Sequence, residues 1–319
     1  MQAYDAALRK NRRDALALGE LVALLLRQHR IEEARGRAEE ALREAPDAWA
    51  GFTALARVAY HQGNLGDAVS LLDRARALRP PDPAFYTTAA TLYHAMARSG
   101  RGIEVLKEAR TRGLADAELL SLMGELYSEL ALPREASEAF RAALRKSPDS
   151  PDLERNLGRV LLMLNRRTEA EEAFRAALRL RPEDPYALYY LGTLHLERGD
   201  AKEAADFLSR SLEKDERNPK ARYALAQAFL KLGRKEEAEV EFARHARLME
   251  RLYHQTPPAS GGNTAAGHAF SGMASAVEEG AGGDGIVSGH SPAQNPSPSG
   301  TREGSRFWFV DVAEQAGIL

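Results

Sequence analysis

Arginine and tyrosine side chains recur at 34-residue steps in the C-terminal half of the chain. Arg155, Tyr189 and Tyr223 are spaced in this way, and so are Asn156 and Tyr190. Guanidinium groups bind carboxylates through two parallel hydrogen bonds, and tyrosine offers rigid apolar area with a polar tip. These residue types are suited to holding a peptide. The full candidate set is Arg155, Asn156, Arg159, Tyr186, Tyr189, Tyr190, Tyr223 and Gln227.

Residue patterns typical of enzymes are absent from the sequence. It has no Gly-x-x-x-x-Gly-Lys phosphate loop, no His-Glu-x-x-His zinc helix and no Gly-x-Ser-x-Gly nucleophile elbow. The eight histidines are scattered, and acidic pairs such as Glu171-Glu172 fit solvated helix faces better than acid–base catalysis. The sequence therefore predicts a non-enzymatic protein with no catalytic residue, no metal site and no cofactor.

Composition narrows the class of protein further. The 319 residues carry a net charge of −2, which provides no overall field for nucleic acid or acidic lipid. There is no cysteine, which excludes disulfides, thiolate zinc sites and cysteine nucleophiles and leaves the redox compartment undetermined. No apolar run approaches the roughly 18 residues of a membrane span, and Met1 to Lys10 lack a signal sequence. We expect a cytoplasmic location by default, with export an option if the N-terminus is truncated.

Small residues mark a period of 34 residues. One series is Ala34, Ala68, Gly102, Ala136, Ala170, Ala204 and Ala238, and a second includes Gly124, Gly158 and Gly192. Prolines recur in phase at Pro46, Pro80, Pro148 and Pro182. Small residues let two helices approach closely and proline ends a helix, so each unit is predicted to be a pair of antiparallel helices.

This pattern resembles the tetratricopeptide repeat (TPR) family. The resemblance implies an all-α, right-handed superhelical solenoid of helix-turn-helix repeats, with seven repeats and a C-terminal capping helix over residues 15–255. The third repeat fits least well, because Gly102 replaces alanine and Leu114 replaces proline, and we expect it to be irregular.

The same resemblance places the first helix of each repeat on the concave face. The candidate set then falls on that face, at the second, fifth, sixth and ninth positions of the fifth to seventh repeats. The same positions hold Asp152, Thr193 and Lys220. In the fourth repeat they hold Glu118, Ser121 and Glu125. The charge of the groove is therefore expected to change sign along its length. The alternative for Tyr189 or Tyr190 is packing between repeats.

Both ends of the chain differ from the repeats. Residues 1–14 are predicted to form the second helix of a truncated repeat, and the Gly/Ser/Pro-rich residues 256–305 a flexible, disordered linker. In residues 306–319, Phe309, Asp311, Val312, Ala316, Gly317 and Ile318 resemble the start of an FG-GAP (VCBS-type) propeller region. The alternative for this tail is an amphipathic segment that docks on the solenoid.

The sequence as a whole favours a protein–protein interaction scaffold that binds a peptide or helix in its concave groove. A second hypothesis is a recruiting arm of a larger enzyme or surface protein. Nucleic-acid binding is a weaker alternative, because acidic residues balance the arginines within each repeat. The partner's identity and the oligomeric state stay open at this stage.

Overall fold

The computed structural model describes Tyr4, Ala7, Asn11 and residues 14–255, with side chains described as far as Arg251. The chain divides into two units, Met1–His245 with Leu319, and Ala246–Ile318. The first unit holds the repeats. Of the second, only residues 246–255 are described, and they are helical.

Several predictions for the ends fall largely outside the described residues. In the segment 1–14, Tyr4 and Ala7 are helical, and its other helix residues are not described. The predicted linker, 256–305, and the propeller-like tail, 306–319, lie wholly outside the described part, so both stay predictions.

Residues 15–255 form fourteen α-helices and no β-strand, which confirms the all-helical repeat solenoid. The first helix of each repeat is called its A helix and the second its B helix. In order, the helices are α1 (Ala15–Arg27), α2 (Ile31–Glu44), α3 (Trp49–His61), α4 (Leu65–Ala77), α5 (Pro83–Ala95), α6 (Ser99–Thr111), α7 (Ala117–Glu129), α8 (Pro133–Lys146), α9 (Pro151–Met163), α10 (Arg167–Leu180), α11 (Pro185–Arg198), α12 (Ala201–Lys214), α13 (Pro219–Lys231) and α14 (Lys235–Gln255). No helix among them has the length and apolar character needed to span a bilayer.

The turn between the A and B helices has the same backbone geometry in all seven repeats. Each turn contains one residue with positive φ, and these residues are 34 positions apart: His29, Gly63, Ala97, Ala131, Asn165, Gly199 and Gly233. The residue after it donates a hydrogen bond back into the A helix, as from Arg166 N–H to the Leu161 carbonyl at 2.8 Å. This is the usual left-handed helix ending, which explains why each A helix stops where it does.

Within a repeat, the A and B helices pack through one small and one large residue. A Cβ atom added to Gly158 would lie 2.6 Å from Phe174 Cε1, and one added to Gly192 would lie 2.6 Å from Leu208 Cγ. In the first repeat the sizes are reversed, since Val22 lies on the A helix and Ala38 on the B helix, both fully buried. The two side chains together therefore fill a similar volume in each repeat, although their residue types differ.

Four of the six connectors between repeats share an extended conformation. Their first residues, Ala45, Ser147, Arg181 and Asp215, have φ between −139° and −135°. Three of them are followed by proline, which disfavours a helical conformation in the preceding residue. In the connectors that begin at Ala45, Arg181 and Asp215, a backbone hydrogen bond closes the turn, as from Ala48 N–H to the Ala45 carbonyl at 3.0 Å.

The two connectors that flank the third repeat differ, so the expected irregularity lies there. At the equivalent position Arg79 has φ +50° and Gly113 has φ +76°. Pro81 occupies the third position of the first of these turns, where proline is disfavoured in a type I turn. In the second, Leu114 takes the place of the proline found in three of the regular connectors.

Candidate functional site

The predicted binding residues lie on one surface, here called the A-helix face. It is formed by positions 2, 5, 6, 9 and 13 of helices α7, α9, α11 and α13. Most of its side chains are half-buried, and Tyr223 is 46% exposed. The eight predicted residues all belong to it, at positions 5, 6 and 9 of α9, at positions 2, 5 and 6 of α11, and at positions 5 and 9 of α13.

Arg155 braces the junction between the fifth and sixth repeats. Its guanidinium contacts Asp152 Oδ1 at 2.8 Å and Asp184 Oδ2 at 2.7 Å. Asp184 is buried and caps α11, where its Oδ1 accepts a hydrogen bond from Tyr186 N–H at 3.1 Å. Arg181 contacts the same two carboxylates. Because two arginines and two aspartates balance their charges here, Arg155 acts mainly in the repeat junction.

Arg159 lies one helical turn further along α9 and interacts with Asn156 on its own helix and with groups on neighbouring A helices. Its Nη1 donates to Asn156 Oδ1 at 3.4 Å, and it forms a side-chain hydrogen bond with Tyr190 on α11. Its charge also opposes the rise in the pKa of Glu125 that burial causes. On the other side, burial and the Arg159 charge both lower the pKa of Lys220 on α13.

The tyrosines divide into packing and surface residues. Tyr190 stacks on Phe174 of the preceding B helix, with ring centroids 4.9 Å apart and planes 9° apart, as in the packing alternative. Tyr189 lies against Tyr190, and burial together with Tyr190 raises its pKa to about 12. Tyr223 contacts Phe242 and still exposes nearly half of its surface. Tyr223 is therefore the most accessible aromatic of the candidate set.

Tyr186 and Gln227 complete the candidate set. The guanidinium carbon of Arg155 lies 5.5 Å from the centroid of the Tyr186 ring, within cation–π distance. Gln227 is half-buried at position 9 of α13, where its amide offers both a donor and an acceptor. The face thus presents aromatic area at Tyr186 and a neutral hydrogen-bonding amide at Gln227.

The acidic end of the face includes residues outside the predicted set. Glu125 accepts a hydrogen bond from Ser121 at 3.2 Å, and Glu129 lies one turn beyond it on α7. Burial, and then the charge of Glu125, raise the pKa of Glu129 to about 8. His94 Nδ1 on α5 lies 3.1 Å from Glu129 Oε2. Continuing the helical spacing from position 9 to position 13 would have found Glu129 in the sequence.

Metal coordination finds no support in this part of the chain. Among the described residues, no group of three or more His, Asp or Glu side chains is arranged to hold an ion. Many of the carboxylates instead pair with arginine, as Glu169 does with Arg141 at 3.0 Å.

Family comparison agrees with this architecture. A tetratricopeptide repeat model matches residues 20–83, 121–185 and 155–219, and a second matches residues 195–248. The first alone covers more than half of the chain, so the protein belongs to the TPR family. The matches omit residues 84–120, which contain most of the irregular third repeat, and they end at residue 248.

Solved structures share this fold at low sequence identity. The crystal structure of the APC/C hetero-tetramer Cut9–Hcn1 matches with a TM-score of 0.55 and 14% identity, over 77% of this chain and 49% of that chain. The MamA RS-1 ArsTM double mutant matches with a TM-score of 0.50 and 19% identity, over 56% and 99%. MamA 41-end from Desulfovibrio magneticus RS-1 matches with a TM-score of 0.49 and 19% identity, over 54% of this chain and 97% of that chain. No curated protein matches the sequence.

Proposed function

We propose that this protein is a non-enzymatic scaffold that binds a peptide or helix of a protein partner on its A-helix face. The TPR fold is typical of protein–protein interaction, and stacked repeats offer extended binding surfaces. The observation that carries the proposal is the continuous row of arginine, tyrosine, amide and carboxylate side chains across α7, α9, α11 and α13. Such a mixture is common where a few aromatic and arginine anchors provide most of the binding energy.

Contacts within the fold divide the candidate residues by role. Arg155 and Tyr190 support the repeat junctions through Asp184 and Phe174 respectively. Arg159, Tyr223 and Gln227 supply the charge, the aromatic area and the amide that a partner would contact. The carboxyl groups on α7 offer a phosphate backbone no positive charge, which favours a protein partner over nucleic acid.

The proposal is tested by selecting binders to the full chain from a displayed library of random 12-residue peptides. Gln227→Trp then places a large side chain on the A-helix face, and Glu213→Trp places the same side chain on the exposed surface of the B helix α12. We expect selected peptides to bind Gln227→Trp at least tenfold more weakly than the wild type. Glu213→Trp should bind them with unchanged affinity.

Two results would contradict the proposal. One is a selection that yields no peptide binding to the wild-type protein. The other is a set of peptides whose affinity is reduced by Glu213→Trp and not by Gln227→Trp, which would place the binding surface on the B helices. Circular dichroism melting of both variants checks that each retains the helical fold.

A further inference from the structure

Charge changes sign along the A-helix face between α7 and α13. The α7 end presents Glu125 and Glu129 on successive turns of one helix face. Glu129 is held near His94, and its side chain stays 23% exposed. A cationic group that reached this pair would meet two carboxyl groups within one helical turn and would favour their ionised forms.

The opposite end of the face presents two cations. Arg159 on α9 and Lys220 on α13 interact electrostatically across α11, and this repulsion contributes to the lowered pKa of Lys220. An anionic group placed between two like cations relieves their repulsion and gains attraction from both. Because Lys220 is exposed and Arg159 half-buried, such a group has access from solvent.

We infer that the peptide bound on this face lies in one direction, with a lysine or arginine side chain at Glu125 and Glu129 and an aspartate or glutamate side chain between Arg159 and Lys220. This inference rests on the proposed function. It goes beyond it by naming the chemistry, the order and the spacing of the recognised groups.

The spacing follows from the geometry of the repeats. The acidic pair lies on α7, and the midpoint between Arg159 and Lys220 lies over α11, two A helices away. Packed helices are about 8–10 Å apart, and the charge of Arg159 also acts on Glu125 and Glu129, so the two charged sites are separated by roughly 10–20 Å. An extended peptide advances about 3.3 Å per residue, so the basic and acidic side chains should be about three to six residues apart.

The selected 12-residue peptides test this inference directly. We expect the strongest binders to share a basic and an acidic residue with that spacing and in one fixed order. The Arg159→Glu/Lys220→Glu variant should bind them at least tenfold more weakly, and so should Glu125→Lys/Glu129→Lys. Lys202→Glu, an exposed position on the B helix α12, is the matched charge control and should leave affinity unchanged.

A variant carrying all four reversals gives the sharpest readout, because it should prefer the peptide with its basic and acidic residues exchanged. Where a reversed variant melts below the assay temperature, Arg159→Gln and Glu129→Gln replace it and should each weaken binding about threefold or more. If binding on the A-helix face is lost with Gln227→Trp but insensitive to these charge changes, the inference is wrong and the proposed function stands. If no peptide binds the wild type, both are wrong.

A pH titration provides an independent measurement. The pKa of Glu129 is raised to about 8, so this carboxyl is mostly protonated at pH 7. Glu125 on its own helix, His94 on α5 and Arg159 on α9 are the charged or titratable groups around it. A bound cation favours the ionised form, so affinity for an arginine-containing selected peptide should rise from pH 7 to pH 9. Glu129→Gln should abolish that rise, and a rise that persists would contradict the inference.

Discussion

The connectors that flank the third repeat and the four other connectors join the same kinds of helices by different backbone routes. The regular connectors have four residues, as in 181–184, and start in an extended conformation. The connectors 78–82 and 112–116 have five residues and contain a left-handed residue, Arg79 or Gly113. The B helices before them are one residue shorter, so the period of 34 residues is kept.

This difference shows that side chains from the next repeat can replace a missing turn hydrogen bond. Arg112 donates from Nη1 to the Pro80 carbonyl at 3.0 Å and from Nη2 to the Arg79 carbonyl at 3.1 Å. It also contacts the Tyr86 hydroxyl, which itself donates to the Pro80 carbonyl at 3.1 Å. The connector 78–82 is therefore held by contacts distant in sequence, whereas three of the four regular connectors close their turns with a local backbone hydrogen bond.

The largest effect is expected from overpacking a regular repeat. In Gly158→Leu the new side chain would overlap the Phe174 ring, so we expect a loss of roughly 3 kcal/mol in the free energy of unfolding. Gly36→Ala is the control, since a Cβ there meets nothing within 4 Å on an exposed helix surface. It should raise stability by about 0.5–1 kcal/mol. Urea denaturation measures both, and equal effects would contradict the packing account.

A smaller loss is expected when the irregular connector loses its support. Arg112→Gln removes charged hydrogen bonds to two carbonyl groups and should cost about 1.5–3 kcal/mol. Its equivalent in the regular fourth repeat is Lys146, which is exposed. Lys146→Gln should change the unfolding free energy by less than about 0.5 kcal/mol. If thermal melting shows similar losses for both, Arg112 is not the support of the connector.

The smallest effects should have opposite signs in the two kinds of connector. Arg79→Gly removes the steric cost of a side chain at a left-handed backbone position and should stabilise the protein by roughly 0.5 kcal/mol. Ser147→Gly, at the extended equivalent position, should destabilise it by about 0.5–1 kcal/mol through the greater entropy of the unfolded chain. Paired chemical denaturation curves measure the difference. Two shifts of the same sign would refute the proposed backbone distinction.

The sequence predicts the helices well because small residues fix the contact between them. For example, the 34-residue period places Gly158 on the A helix and Ala170 on the B helix of the same repeat, each on the side that packs against the other helix. The left-handed turns escaped prediction, because residue types as different as His29, Ala97 and Asn165 occupy them. There the packing of the two helices overrides the local preference of the residue.

The candidate site was predictable in position but not in role. Helical spacing placed Arg155 and Arg159 on one face, yet only the fold shows that Asp184, 29 residues away, pairs with Arg155. His94 looked isolated in the sequence, although the stacking of α5 and α7 brings it to Glu129. Contacts between repeats depend on how helices stack, and a single sequence does not encode that in a short motif.

The central claim, that partners bind on the A-helix face, can be tested most directly by disulfide trapping. The chain has no cysteine, so Thr193→Cys on the A-helix face and Glu213→Cys on a B helix each introduce a single thiol. A selected peptide with one cysteine near its centre is incubated with each variant under mild oxidation. The account predicts rapid crosslinking to Thr193→Cys and little to Glu213→Cys. Equal crosslinking, or preferential crosslinking to Glu213→Cys, would contradict it.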